Sequence, residues 1–312
     1  MRASLTLPIA ILTGIISYFV YVNIHALDFT HHAVSQIITY LQPALLFVML
    51  FVSFCKVSPN ELRPKRWMLE MLGIQIFSFS LLGALIICIP DISGKAVIES
   101  LMICLICPTA TAASVVTTKL KGNPSTVVSY TCLINLAAAI VIPSVVSFIH
   151  EENLKYDFIT SFTLILGKVF PLLILPLLLA WFVKFMFPKI HRRIVSYKDL
   201  AFNLWAVALT LAIAITMKAI THTDKSAFEL TLIALASLIS CCVQFYIGRR
   251  IGKHHGEPIA GAQSMGQKNT IFAIWMGYTF LDPVTAMAGG FYSVWHNVIN
   301  SWQLYRMSKN NH

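Results

Sequence analysis

Ten stretches of this 312-residue chain stay apolar for about the thickness of a lipid bilayer. They cover residues 5–24, 37–54, 68–89, 96–120, 125–149, 158–186, 200–220, 227–247, 258–280 and 284–305. A hydrocarbon core of roughly 30 Å takes about 20 residues of helix to cross. Lipid offers no partner for an open backbone, so such runs must close their hydrogen bonds internally, as helices. Composition agrees. Hydrophobic residues make up 57% and charged residues 12%, against roughly 25% charged in a soluble domain. A water-exposed surface could not be covered with so little charge. The fold class expected is all-α integral membrane, with ten transmembrane helices in one unit over 1–312.

The formal net charge of +10 suggests a polyanion partner only if the cations gather on a face or tail. Here they cluster in alternate connections between the apolar runs. Lys56, Arg63, Lys65 and Arg66 fall in one connection. Lys184, Lys189, Arg192, Arg193 and Lys198 fall in another, and Arg249, Arg250 and Lys253 in a third. The opposite connections carry only Lys95, Lys155, Lys218 and Lys225. Such alternation is the signature of topology, not of nucleic-acid binding. It places both termini in the cytoplasm and the chain in the cell (inner) membrane, with lipid as its surroundings. The first run lacks a small-residue cleavage site and reads as a retained helix, not a signal peptide.

Ten helices divide into five and five, with repeat 1 over about 5–150 and repeat 2 over about 158–305, meeting at residues 151–157. Five helices per half force the second half to enter from the opposite side, an inverted repeat of the kind many carriers share. The fourth run contains Cys107-Pro108-Thr109-Ala110-Thr111-Ala112-Ala113-Ser114. The ninth contains Gly261-Ala262-Gln263-Ser264-Met265-Gly266-Gln267-Lys268-Asn269-Thr270. Proline removes a backbone donor and clashes with the preceding turn. Glycines and polar side chains at mid-span are tolerable only around a protein-lined or wet cavity. A break exposes N–H groups that favour an anion and carbonyls that favour a cation. Interruptions at matching places in two halves mark a transport site. The plainer reading of either break alone is a kink and a polar helix contact.

At these two stretches the chain resembles the bile acid:sodium symporter family. Cys107-Pro108-x-x-Thr111-Ala112, followed by Gly122-Asn123, is similar to that family's fourth-helix motif, and Gly266-x-x-Asn269 to its ninth. The resemblance implies a sodium-coupled carrier of bile acids and other small organic anions. It implies a panel of helices 1, 2, 6 and 7, and a core of helices 3–5 and 8–10 in which helices 4 and 9 cross. It assigns Thr111 and Asn269 to the anion. The fourth-helix serine and asparagine that hold sodium in the family fall on Ala113 and Ser114. The fifth-helix serine falls on Val127 and the threonine on Thr131. The ninth-helix glutamate falls on Ser264 and the following glutamine on Lys268, beside Gln267. The third-helix glutamine corresponds to Gln75.

None of the thirteen acidic residues sits mid-span, whereas sodium sites favour several oxygens with negative charge among them. A fixed ammonium beside a sodium site repels the ion. The expectation is therefore that Lys268 replaces a bound cation, donating to the carbonyls of a break and attracting the substrate anion. A lysine that loads and releases its proton there would couple transport to protons. The rival reading is a structural lysine at a water-filled entrance. Sodium or a proton is the expected coupling ion, and no other cofactor is expected.

Other polar residues within the spans divide between lining and structure. Lys168 either lines the cavity or snorkels to the interface. His296, with Asn297 and Asn300, is expected to line the site or to bond between helices, as are Asn135 and Gln244. The pairs His31-His32 and His254-His255 lack the partners of a closed metal site. Six of the seven cysteines lie in apolar runs, so a disulfide framework is not expected. Cys104-x-x-Cys107 has redox spacing without the βαβ context of that motif, and packing thiols are expected instead.

Two other function classes compete with the carrier. An intramembrane hydrolase would need a nucleophile and a base, and Ser264 with Lys268 has the i,i+4 spacing of one helical face. A channel or sensor is the third class; saturation and counterflow separate a carrier from a channel, and a sensor usually carries a soluble signalling domain. No phosphate-binding loop of the G-x-x-x-x-G-K-[ST] type is present, which argues against a primary pump. The reading preferred is a carrier, not an enzyme, with a small organic anion as its ligand.

Overall fold

The computed structural model describes residues 2–24, 29–57, 59, 62–149, 157–197 and 200–309. Apart from Asp157, the junction expected between the halves lies outside the described residues. Thirteen α-helices follow one another: α1 (Arg2–Asn23), α2 (His31–Phe54), α3 (Arg66–Cys88), α4 (Lys95–Ile106), α5 (Ala113–Lys119), α6 (Pro124–Val146), α7 (Phe158–Met186), α8 (Pro188–Ser196), α9 (Leu200–Thr221), α10 (Ala227–His254), α11 (Pro258–Gly266), α12 (Thr270–Phe280) and α13 (Ala286–Lys309). A 3₁₀ turn, Pro283–Thr285, precedes the last. Among the described residues the single β feature is an isolated antiparallel bridge between Thr109 and Lys268.

Among the described residues six helical stretches are long and apolar enough to cross a membrane: Ala33–Phe54, Arg66–Cys88, Pro124–Val146, Phe158–Met186, Leu200–Thr221 and Ala227–His254. Pro8–Asn23 and Thr270–Phe280 are shorter apolar helices. Large apolar side chains face outward along them, with Phe77 68%, Ile159 67% and Ile239 60% exposed. In water that surface would drive aggregation; against acyl chains it is at rest. The chain is an all-helical, multi-pass membrane protein.

Local chemistry sets several helix ends. Pro124, Pro188 and Pro258 open α6, α8 and α11, where proline's missing donor costs nothing. Asn123 caps α6 by accepting from the Ser125 amide, and Ser226 caps α10 by accepting from that of Glu229. The fourth and ninth apolar runs are each two helices with a non-helical linker, at 107–112 and 267–269. Helix α8 has no counterpart among the expected elements. It stands where the sequence shows only a basic connection, because nine residues with three cations carry no apolar run.

The chain forms two compact units, and the division falls inside α7 at Pro171. The first contains residues 1–56 and 171–224. There α1 packs on α9 around Ala10, Leu209 and Ile213. Gly14 lets the two backbones approach, since a Cβ at that position would stand 2.6 Å from the Thr210 oxygen. The second contains residues 57–170 and 225–312. Its tightest seam is α10 on α11, where Gly248 and Gly252 face Gly261 with their backbones nearly touching. Small residues at a helix seam are how membrane helices gain packing without a hydrophobic drive between them. An apolar cluster of Trp67, Met71, Ala113, Tyr130 and Met265 ties α3, α5, α6 and α11 together within this unit.

Candidate functional site

The two linkers meet inside the second unit. Proline at 108 prevents α4 from continuing, and α11 stops at Gly266. The extended backbone thus freed on each side pairs with the other. The Ala110 amide donates to the Gln267 carbonyl and the Asn269 amide donates to the Pro108 carbonyl, both at 2.8 Å. The Thr109 hydroxyl adds a bond of 2.5 Å to the Ser264 carbonyl. The Cys107 thiol lies 2.9 Å from the Asn269 carbonyl.

Helix ends carry carbonyls with no helical partner, and buried polar groups must find one elsewhere. Here side chains supply it. Gln244 of α10 donates to the Cys104 carbonyl at 3.0 Å. Gln75 of α3 and Lys268 both donate to the Leu105 carbonyl, at 2.8 and 3.0 Å. Tyr292 of α13 donates to the Gly266 carbonyl at 2.9 Å. These side chains join one another as well. Gln75 donates to Gln244, Gln244 donates to the Tyr292 hydroxyl, and Tyr130 donates to Gln75. The result is one network that closes the carbonyl end of α4 with amides, phenols and a single ammonium.

Lys268 is 2% exposed. Among the described residues no carboxylate bonds its ammonium; it faces the last turn of α4, the negative end of that helix dipole. Across the same linker α12 presents the opposite pole. Asn269 caps α12 by accepting from the Phe272 amide at 3.3 Å, which leaves its buried Nδ2 donor without a partner. The Ser264 hydroxyl and Gln267 Oε1 are likewise buried and unpartnered. An ammonium, an amide donor and a helix N-terminus are each groups that favour an anion.

The structure therefore brings Gln75, Ser264, Gln267, Lys268 and Asn269 to one crossing. The remaining expected site residues differ in their bonding. Thr111 is half-buried, and its carbonyl accepts from the Ser114 hydroxyl at 3.2 Å. The Thr131 hydroxyl turns back to the Val127 carbonyl of its own helix. His296 is buried edge-on against Tyr292, with Nδ1 unpartnered. One turn further along α13, Asn300 accepts from Gln263 at 3.0 Å. Lys168 is exposed and lies 5.6 Å from the Phe280 ring centre. The serine–lysine dyad is not formed. The helix ends between the two residues, Ser264 Oγ has no partner and the lysine points to Leu105. Tyr292 and Tyr130 are network members that sequence reasoning missed; a tyrosine on an apolar helix gives no periodic signal.

A cavity of about 450 Å³ lies elsewhere in this unit, among Lys95, Glu99, Lys225, Tyr278, Phe280 and Asp282. None of the expected site residues lines it.

No family model matches the chain. Among curated proteins it is similar to the uncharacterized sodium-dependent transporter YocS of Bacillus subtilis (strain 168), with 24% identity over 195 residues. The match covers 62% of this chain and 59% of that protein, so the chain spans about three fifths of the length of its relative.

Proposed function

We propose that the protein is a secondary carrier for small organic anions, similar in plan to the bile acid:sodium symporters, in which Lys268 stands in for a bound cation. The observation that carries this reading is the buried ammonium at the crossing of two broken helices, 3.0 Å from the Leu105 carbonyl. An intramembrane charge is expensive and marks function by default. Here it sits where carbonyls of a helix end would otherwise recruit a metal ion, and it leaves a positive pole for a carboxylate. The relation to a protein named as a sodium-dependent transporter supports the carrier class. Counting α4 with α5 and α11 with α12 as one broken span each yields ten crossings. The cationic connections then lie on the cytoplasmic side and the second half is inverted. The two compact units support a panel and a core for alternating access, except that residues 158–170 of α7 group with the core.

With a tethered cation at this position, transport does not require sodium there. The same observation favours a second reading of coupling, in which Lys268 carries a proton as the site alternates. In that reading the substrate is a carboxylate such as a pantoate-like acid. Uptake of labelled organic acids into proteoliposomes, varying sodium and pH separately, tests both. Wild-type uptake that saturates, shows counterflow and ignores sodium is the expected result. Lys268→Gln should transport at least tenfold more slowly without sodium and regain part of the rate with it. Equal rates for wild type and variant under all conditions would remove Lys268 from the mechanism.

A further inference from the structure

Helix α8 takes no part in the crossing, yet its sequence is ordered more strictly than topology requires. Phe187 turns the chain out of α7 and Pro188 starts the new helix. Lys189, Arg192, Arg193 and Ser196 follow at spacings of three, one and three. They share one helical face, and all four are exposed. The opposite face carries His191, Ile194 and Val195, which are half-buried. His191 Nε2 bonds the Cys55 carbonyl at the end of α2 at 2.7 Å, which fixes the roll of the helix. A basic loop that served only to orient the chain could scatter its cations around the helix. Here they are sorted outward.

Exposed apolar side chains flank the basic face. Met186 is 62%, Ile190 53% and Tyr197 54% exposed. They continue the outward apolar surface of α7, so the helix lies where a span meets the headgroups. No acidic residue occurs between Asp157 and Asp199 in the sequence. Among the described residues no carboxylate lies within ion-pair distance of Lys189, Arg192 or Arg193. Short helices with this division of charge and apolar bulk bind at interfaces, and anionic lipid attracts each nearby cation by about fivefold in affinity.

We propose that the Lys189–Arg192–Arg193 face of α8 is a docking site for the headgroups of anionic phospholipids. The occupant follows from charge complementarity and from continuity with the membrane-facing surface of α7. Guanidinium groups suit phosphate through paired donors, and the apolar flank seats the acyl side of the same lipid. The proposal depends on the membrane placement of the chain and not on its substrate or coupling.

The test is native mass spectrometry of the full chain in neutral detergent, titrated with phosphatidylglycerol and with phosphatidylcholine. Wild type should take phosphatidylglycerol at least tenfold more tightly than phosphatidylcholine. Lys189→Gln/Arg192→Gln/Arg193→Gln should lose that preference, while Arg192→Lys/Arg193→Lys keeps most of it. No side chain of α8 is buried, so the fold should survive these changes. Should the triple variant fail to fold, wild type measured at rising salt serves instead, since an electrostatic site weakens as ions screen it. Equal affinity of wild type for the two lipids, undiminished phosphatidylglycerol binding by the folded triple variant, or salt-independent binding would overturn the proposal.

Discussion

The amide of Asn269 donates to the carbonyl of Pro108 across 2.8 Å, joining two helix breaks 161 positions apart in sequence. One bond of this kind satisfies a donor and an acceptor that lipid could not. It also fixes the register between the two linkers, because the reciprocal Ala110–Gln267 bond follows on the same bridge. The polar groups left over there are then positioned by a paired stretch of extended backbone.

The Thr109 hydroxyl is the side-chain member of that bridge. Thr109→Val keeps the shape and strands the Ser264 carbonyl, at a cost of about 1–2 kcal/mol. Thermal unfolding in detergent should show a lower midpoint, with uptake reduced because the crossing loosens. An unchanged midpoint would mean the 2.5 Å contact contributes nothing net.

Asn269 separates binding from folding. Asn269→Asp preserves the oxygen that caps α12 but replaces the free amide donor with negative charge. The folded fraction should hold near wild type, whereas uptake of organic anions should fall at least a hundredfold, the equivalent of about 3 kcal/mol. Uptake that persists would place the substrate elsewhere.

Gln244 and Tyr292 share a bond while each closes a carbonyl of a different broken helix. Gln244→Leu and Tyr292→Phe should each cost about 1–3 kcal/mol. In a double-mutant cycle the pair should show a coupling of at least 0.5 kcal/mol, the lower end for residues in one network. Additive losses would show that the two carbonyls are closed independently.

The glycine seam offers a contrast within one unit. A Cβ at Gly261 would stand 2.3 Å from the Gly248 oxygen, whereas one at Gly73 meets nothing within 4 Å. Gly261→Ala should push α10 from α11 and destabilise by about 1–3 kcal/mol. Gly73→Ala, inside α3, should stabilise by about 0.5–1 kcal/mol through lost backbone freedom in the unfolded chain. Similar midpoints for the two variants would contradict the close approach.

Much of the site was readable residue by residue. Pro108 and the Gly266 stretch announce breaks because proline's missing donor and a polar mid-span run act locally, whatever surrounds them. Lys268 stands out because a lysine in a span is costly anywhere. The partners of those groups were not readable. Gln75 is one amide on an apolar helix until Leu105 and Tyr130 are placed beside it. Ser264 and Lys268 look like one helical face until the helix is seen to end between them. The three cations of α8 look like a topological signal until their common face appears.

The chain's own residues determined that it lives in lipid, where its apolar runs begin and end, and where two of them must break. These follow from hydropathy, charge and backbone chemistry that each short segment carries alone. Only the tertiary structure decided which orphaned carbonyl meets which donor, and that the lysine faces Leu105, 163 positions away, instead of Ser264. The physical reason is that a buried polar group takes whatever partner packing brings within about 3 Å, and that choice is made by helices far apart in sequence.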